Sequence, residues 1–413
     1  MNLEGRAGGD ADTEASGSTG APGAAHEGAT PGWIVLSDPD FTEAELAAVH
    51  DTLCSPRISQ GPRVREFEAA FAAYTGRKYA IAVSSGTAGM LLALKAHGIG
   101  PGDEVIATSY SWRETAHAIA LAGATPVFVD IDYWSGVIVP EKAAARVTAR
   151  TRAILANNTN GHPAPWAPLR ELASQHGLVL LEDSTEAIGS TYQGRIVGSF
   201  GDCAVFDFSQ PSPLCCGEGG MIVTDDGEIA RSLRSHRAHE VSERGSLVIS
   251  AKIPFQLCMS EVAAALGLVQ LGRIDEILER RKYIERVYFE HVKSFEGIKD
   301  PYVAPEVEVA HWLLYLVHLG TRFSRSSCDA IVEDLRRERI DAAVYCRPLH
   351  TQRYYIELGA DNRRGKVLVT EKLADRAIAL PFHCHLTEEQ IAFIVTTMKD
   401  ASVNVGAGSA IYL

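Results

Sequence analysis

YAIAVSSGTAGMLLALKAHG, Tyr79 to Gly98, is the stretch on which the fold turns. YAIAV is a short apolar run that stops at Ser84-Ser85-Gly86, the length and punctuation of a buried strand. The run after it is rich in Ala, Leu and Met and ends at Gly98, as a helix does. Upstream, Val64, Phe67, Phe71 and Tyr74 recur at helical spacing before Gly76. Downstream the same rhythm repeats. VIAT (Val105–Thr108), PVFVD (Pro126–Asp130), AILA (Ala153–Ala156), LVLLE (Leu178–Glu182), CAVFD (Cys203–Asp207) and MIVT (Met221–Thr224) read as strands, with helical segments between most of the earlier ones. Continuous apolar strands alternating with helices predict an α/β fold, a three-layer α/β/α sandwich around a mostly parallel sheet. Ligands are then expected at the carboxyl ends of the strands.

The rest of the chain frames this domain. Residues 1–32 are rich in Gly, Ala, Ser and Thr with almost no large apolar group, so burial cannot offset their ordering entropy and a disordered tail is expected. A large domain follows over 33–294. It closes with an amphipathic stretch from Ser260 to about Val292, long enough to form a single connecting helix. HWLLYLVHLG, RSSCDAIVEDLRRERI and EEQIAFIVTTMKD then predict a smaller α+β domain over 295–413.

Composition narrows the partners. The 39 basic and 52 acidic residues give a net charge of -13 without a block of like charge, so neither nucleic acid nor an anionic membrane is indicated. No apolar run is long enough to span a bilayer and no secretory leader is apparent, which predicts a cytoplasmic protein acting on a small molecule. The eight cysteines are scattered, as reduced thiols are, without the spacing of a zinc site or an iron-sulfur cluster.

Three weak signals share one edge of the predicted sheet. Ser84-Ser85-Gly86-Thr87 opens a helix, where free N–H groups and hydroxyls suit a phosphate or carboxylate, although the same residues make an ordinary N-cap. Asp183 ends the LVLLE strand, where an ionised acid can pair with a protonated ring nitrogen or simply cap a helix. Trp112, in TSYSWRETAHAI, follows another strand and can stack on a flat ring or belong to the core.

The order of the pieces is more specific than any one of them. SSGTAG, EVIATSYSWRETAHAIALAGATPVFVDID, GHPA, LLEDSTEAIGS, GEGGMIVTDD, SEVAAALGL, RPLHTQ and LPFHCHLTEEQ, in that order from about residue 33 onward, resemble the pyridoxal-phosphate-dependent sugar aminotransferase and sugar dehydratase family. The resemblance implies the aspartate-aminotransferase fold, fold type I, and a homodimer with each active site at the subunit interface. It implies pyridoxal phosphate or pyridoxamine phosphate as cofactor. Gly86 and Thr87 then match phosphate ligands, Trp112 the ring-stacking aromatic, and Asp183 the acid facing the pyridine nitrogen. Gln256 matches a phosphate-binding Asn that the partner subunit supplies.

Departures from the family pattern gather in FDFSQPSPLCCGEGG, Phe206–Gly220. Aligned on GEGG, the lysine that forms the Schiff base corresponds to Ser212, and the phosphate-binding serine corresponds to Asp207. A carboxylate beside a phosphate is repelled, so either Asp207 turns away or the phosphate is absent. Glu186 stands where the family commonly has Gln, and an acid there can move a proton. A His that some family members use near the sugar or cofactor aligns near Asn158, with His162 close by, while His350 and His383 fall on histidine positions that also read as packing. Lys252 is the nearest lysine, in the register of the phosphate loop.

Ordinary transamination is not expected of a chain with Ser212 at the lysine position. Three readings follow. One is non-covalent pyridoxal or pyridoxamine phosphate chemistry, such as dehydration, on a sugar-like or amino-containing substrate. Another is a cofactor-free enzyme using Asp207, Glu186 and one thiol of Cys215 or Cys216. The last is a non-catalytic partner of an active homologue. Bacterial secondary-metabolite or sugar biosynthesis is the setting that the resemblance implies.

Overall fold

A computed structural model describes residues 32–239, 253–293, 298–299, 301–358 and 367–410. The tail expected over 1–32 lies, except for its last residue, outside the described residues, as does Lys252.

Two helices lead, α1 (Glu43–Leu53) and α2 (Pro62–Thr75). The α/β series then runs β1 (Tyr79–Val83), α3 (Gly86–Ala96), β2 (Glu104–Thr108), α4 (Arg113–Leu121), β3 (Thr125–Val129), α5 (Pro140–Ala144), β4 (Thr151–Asn157), α6 (Trp166–His176) and β5 (Val179–Asp183). A hairpin of β6 (Thr191–Tyr192) and β7 (Arg195–Ile196) precedes β8 (Cys203–Asp207), β9 (Gly220–Thr224) and α7 (Gly227–Arg237). Seven of these strands form one sheet in the order β1-β9-β8-β5-β4-β2-β3. Every neighbouring pair is parallel except the two that involve β9, which runs against both β1 and β8.

Strand side chains alternate between two buried faces, which is why these runs are apolar through their middles and keep their polar residues at the ends. Ile81 and Val83 of β1 pack with Leu92 of α3 and Ile119 of α4 on one side. Ala80 and Ala82, one residue out of phase, pack on the other with Phe67 and Phe71 of α2. The three-layer α/β/α arrangement is therefore a direct result of period-two burial. α2 itself follows its sequence signals, with Pro62 in its first turn and Gly76 at φ 68 closing it in the left-handed conformation.

The connector differs from its expected form. Ser260 to Val292 is not one helix but two, α8 (Glu261–Gly272) and α9 (Ile274–Val292), with Arg273 at φ -109, ψ 5 between them. The Arg273 side chain turns to Glu45, 2.6 Å away, so a buried ion pair with α1 sits at the break. An apolar periodicity that continues through both helices gives no sign of it.

α9 leads into a second, antiparallel sheet built from β10 (Ile298–Lys299), β11 (Tyr315–Leu319), β12 (Ala343–Val344) and β13 (Ala377–Leu380), in the order β10-β11-β13-β12. α10 (Arg325–Arg337), α11 (Arg353–Leu358), α12 (Leu368–Ala374) and α13 (Glu388–Ala410) accompany it. Tyr288 of α9 stacks on Tyr315 of β11 at 4.2 Å and donates its hydroxyl to the Pro381 carbonyl. Arg281, fully buried, donates to the carbonyls of Phe382, Trp312 and Leu313. These contacts tie the second sheet and its flanking loops to α9. Among the described residues, no helix is long and apolar enough to cross a membrane.

Candidate active site

At that edge the carboxyl ends of β1, β2, β5 and β8 surround a cleft of about 340 Å³. Gly86 and Thr87 line it from the start of α3, Trp112 from the start of α4, Glu186 from beyond β5, and Asp207 from the end of β8. The structure thus brings together five of the residues that the sequence singled out. Among the described residues lining the cleft there is no lysine.

Asp207 faces inward, and its position is the central fact of the site. Its Oδ2 accepts from the Gly86 backbone N–H at 2.6 Å, at the turn where α3 begins. Its Oδ1 accepts from the Ser209 N–H at 2.7 Å and from the Ser209 hydroxyl. Two glycines make this approach possible. A Cβ on Gly86 would lie 2.8 Å from Asp207 Oδ2, and one on Gly220 would lie 2.6 Å from the Ser85 backbone. Register places Asp207, Gly220 and Val83 side by side, so the carboxylate meets the helix start with no intervening residue. A helix start is a natural seat for an anion, and here the chain supplies one from its own side chain.

Asp183 lies deeper, 3% exposed and off the cleft surface. Its two oxygens accept from Thr115 Oγ1 at 2.7 Å and Thr185 Oγ1 at 2.6 Å, which orients it rigidly. Burial raises its pKa, and the nearby Asp207 adds to that. Trp112 lines the cleft, with its indole N–H buried and without a hydrogen-bond partner among the described residues.

Glu186 stands beyond the end of β5. It is buried, accepts from the Tyr345 hydroxyl at 2.8 Å and from the Asn160 N–H, and burial pushes its pKa up to about 8. Tyr345 has no motif of its own. Its only sequence signal is its place just before RPLH. Glu114 and Glu218 also line the cleft and were missed, although both sit inside quoted motifs, WRETAH and GEGG.

A stability measurement checks the state of Glu186. The folded chain holds this proton up to about pH 8, whereas an unfolded glutamate releases it near 4.5. The folded state therefore binds more protons across that window, and stability falls as pH rises through it. Asp183 contributes with the same sign. Glu186→Gln, neutral throughout, is expected to reduce the fall in Tm between about pH 5 and about pH 8 by a few degrees. An unchanged slope would mean that Glu186 is ionised in the folded chain.

The remaining candidates stand elsewhere. Ser212 is half-buried on the loop just past Gln210 and Pro211, which do line the cleft. Cys215 and Cys216 do not line it, which corrects their assignment as reacting groups. Cys215 is 3% exposed and Cys216 6%, Cys216 packs with Phe67 and Met259, and burial raises both thiols above their ordinary range. The loop carries them into the apolar layer under α2 and α8, where a thiolate is poorly solvated. Gln256 is exposed at φ 58 and lies outside its own chain's cleft. Asn158 holds structure, donating to Glu182 and Ser184 and accepting from Trp166 Nε1. His162 accepts from the Ala304 N–H, and His350 is held between Ser109 and Glu371. His383 is buried, and burial lowers its pKa to about 4.

Comparison with known proteins places this geometry. Residues 39–399 match the model of the DegT/DnrJ/EryC1/StrS aminotransferase family. The chain is 34% identical over 378 residues to the spore coat polysaccharide biosynthesis protein SpsC of Bacillus subtilis, covering 89% of this chain and 97% of SpsC. It superposes with a TM-score of 0.86 on the putative sugar aminotransferase Spr1654 from Streptococcus pneumoniae in its PMP form, at 27% identity over 92% of this chain and all of that one. Spr1654 is also known in a PLP form. DesV of S. venezuelae, solved with a ketimine intermediate, gives 0.79 at 32% identity, covering 87% of this chain and 94% of DesV. The family uses pyridoxal phosphate, and its solved members share the fold type I architecture seen here. With its mostly parallel sheet and its cleft at the strand ends, this chain belongs to the DegT/DnrJ/EryC1/StrS aminotransferase family.

Proposed function

We propose that this chain uses the family cleft for acid–base chemistry on a small sugar-like molecule, without a Schiff-base lysine and without a phosphorylated cofactor. One observation carries the reading: the Asp207 carboxylate already occupies the Gly86 N–H at 2.6 Å. The two halves of a pyridoxal phosphate site fare differently. The ring half keeps its residues, with Trp112 on the cleft wall and Asp183 behind the surface, bonded to the lining residue Thr185. The phosphate half does not. A phosphate at the start of α3 would stand roughly 4 Å from a carboxylate, which costs about 4 kcal/mol per pair of unit charges at an effective dielectric near 20.

Glu186 is the group that does chemistry in this reading. With its pKa near 8 it carries a proton at neutral pH, held in place by Tyr345 and Asn160. In a dehydration, Glu186 gives that proton to a departing hydroxyl and water leaves. The carboxylate left behind takes the proton from the adjacent carbon, so the side chain ends as it began. Asp207, fully engaged with backbone and Ser209, holds the rim of the site.

A second reading is favoured by the ring half. In it Trp112 and Asp183 would hold the ring of a non-covalent pyridoxamine phosphate, provided that Asp207 gives up the α3 start. In that reading the exposed Gln256 serves a partner subunit's phosphate, as the family resemblance implies.

Absorbance titration of the purified protein with pyridoxal phosphate and with pyridoxamine phosphate separates the two. No saturable band and no thermal shift at millimolar cofactor is expected. A saturable band in either titration overturns the cofactor-free reading and establishes the second.

A further inference from the structure

A second cavity stands apart from the cleft. It has a volume of about 740 Å³ and shares no described lining residue with the strand-end site. One wall is aromatic, made by Tyr133 and Trp134 from the turn after β3 and by Tyr302 from the segment before β11. The other holds His318 near the end of β11, Lys372 of α12, and Arg376 just past that helix.

The turn that carries Trp134 is tightly constrained. Asp132 Oδ1 accepts from the N–H groups of Trp134 and Ser135 and from the Ser135 hydroxyl, each at 2.9 Å. Gly136 closes the turn at φ 73, where a side chain is strained, and a Cβ there would stand 3.1 Å from the Tyr110 ring. Trp134 is therefore fixed through its backbone while its side chain stays 47% exposed, and Tyr302, 41% exposed, lies beside it at a ring separation of 6.5 Å. Aromatic surface displayed together on a rigid frame marks a place where another molecule stacks.

The facing wall is cationic. Lys372 and Arg376 carry its charge, and no carboxylate accompanies them among the described lining residues. Arg376 donates from Nε and Nη2 to the carbonyls of Phe323 and Thr321, at 3.0 and 3.4 Å, which holds the guanidinium in place and leaves Nη1 uncommitted among the described residues. His318 is kept neutral, its pKa pushed down to about 4 by burial, and its Nε2 is buried without a hydrogen-bond partner among the described residues. A nitrogen in that state forgoes the hydrogen bond that water would supply, a cost that a bound polar group can offset.

We infer that this cavity is a second ligand site, separate from the chemistry at the strand ends, and that it takes a flat aromatic ring bearing one carboxylate. The ring lies against Trp134 and Tyr302, and the two carboxylate oxygens meet the Lys372 ammonium and Arg376 Nη1. Its occupancy does not depend on what fills the strand-end cleft.

Calorimetric titration of the full chain tests the site with matched probes. Indole-3-acetate is compared with neutral indole-3-acetamide, with cationic tryptamine, and with cyclohexylacetate, which keeps the charge and lacks the flat ring. Indole-3-acetate is expected to bind roughly tenfold tighter than each of the others, and added salt should reduce its lead over the amide. Trp134→Ala and Lys372→Glu, both at exposed positions where folding is not at stake, should each weaken indole-3-acetate about tenfold. Trp112→Ala, in the strand-end cleft, should leave that affinity unchanged. Equal affinity for the amide or for cyclohexylacetate, tighter binding of tryptamine, or no heat from indole-3-acetate at millimolar concentration overturns the inference. So does binding that is lost in Trp112→Ala and kept in Trp134→Ala and Lys372→Glu, because the acid then sits in the strand-end cleft.

Discussion

Mixed with pyridoxal phosphate, the double variant Asp207→Ser/Ser212→Lys should turn yellow and become irreversibly labelled on borohydride reduction, while the native chain does neither. The two substitutions do separable work. Ser212→Lys supplies an amine on the loop that borders the cleft at Gln210 and Pro211. Asp207→Ser frees the Gly86 N–H and removes the charge beside it. Lifting a repulsion of about 4 kcal/mol corresponds to roughly three orders of magnitude in affinity. Ser212→Lys alone should therefore label only weakly, and Asp207→Ser alone should bind the cofactor reversibly without a reducible adduct. If Ser212→Lys alone binds as tightly as the double variant, Asp207 does not exclude phosphate and the proposed function loses its support. Spectral titration and mass after reduction provide the readout.

The second large effect concerns stability. Glu182, wholly buried, accepts from the N–H groups of Gly198, Phe200 and Gly201, from Ser184 Oγ and from Asn158 Nδ2. It closes the loop between β7 and β8, so the strand that carries Asp207 depends on it. Glu182→Ala strands three backbone donors at about 1–3 kcal/mol each, and a loss of about 5 kcal/mol or more is expected in urea unfolding. Glu182→Gln keeps the shape but turns one acceptor oxygen into a donor, and about half that loss is expected. A cost below about 1 kcal/mol for the alanine variant would show that water replaces the carboxylate. Asp183, one residue on, points to the opposite side of the strand and carries no such load. The pair divides structure from site along one pleat.

Much of this was legible in the residues. Short apolar runs between helix-forming segments specify a covered sheet because each strand must bury both faces, and all seven runs formed strands. Gly86, Thr87 and Trp112 could be placed at one edge because strand ends and helix starts share it, and Glu186 and Asp207 joined them through the family resemblance. What the residues did not disclose were interactions across long sequence separations. The break at Arg273 depends on Glu45, far upstream in α1. Glu261, read only as part of SEVAAALGL, is fully buried and accepts from the N–H groups of Gly61, Arg63 and Val64, capping α2 from a different helix. The fate of Cys215 and Cys216 was likewise hidden, because a loop's direction follows from its anchors, not from its composition.

The reversed strand β9 has a consequence for how such a protein changes over time. Because β9 runs against β8, the segment from Phe208 to Gly219 leaves the sheet and rejoins it at the same edge, with Asp207 and Gly220 paired at its base. Beyond the ladder a bridge between Ser209 and Gly217 ties the segment together, so Ser212 is housed on a closed flap outside the sheet. A lineage can exchange an amine there for a hydroxyl and keep its architecture, which makes the chemistry of this scaffold more replaceable than its shape.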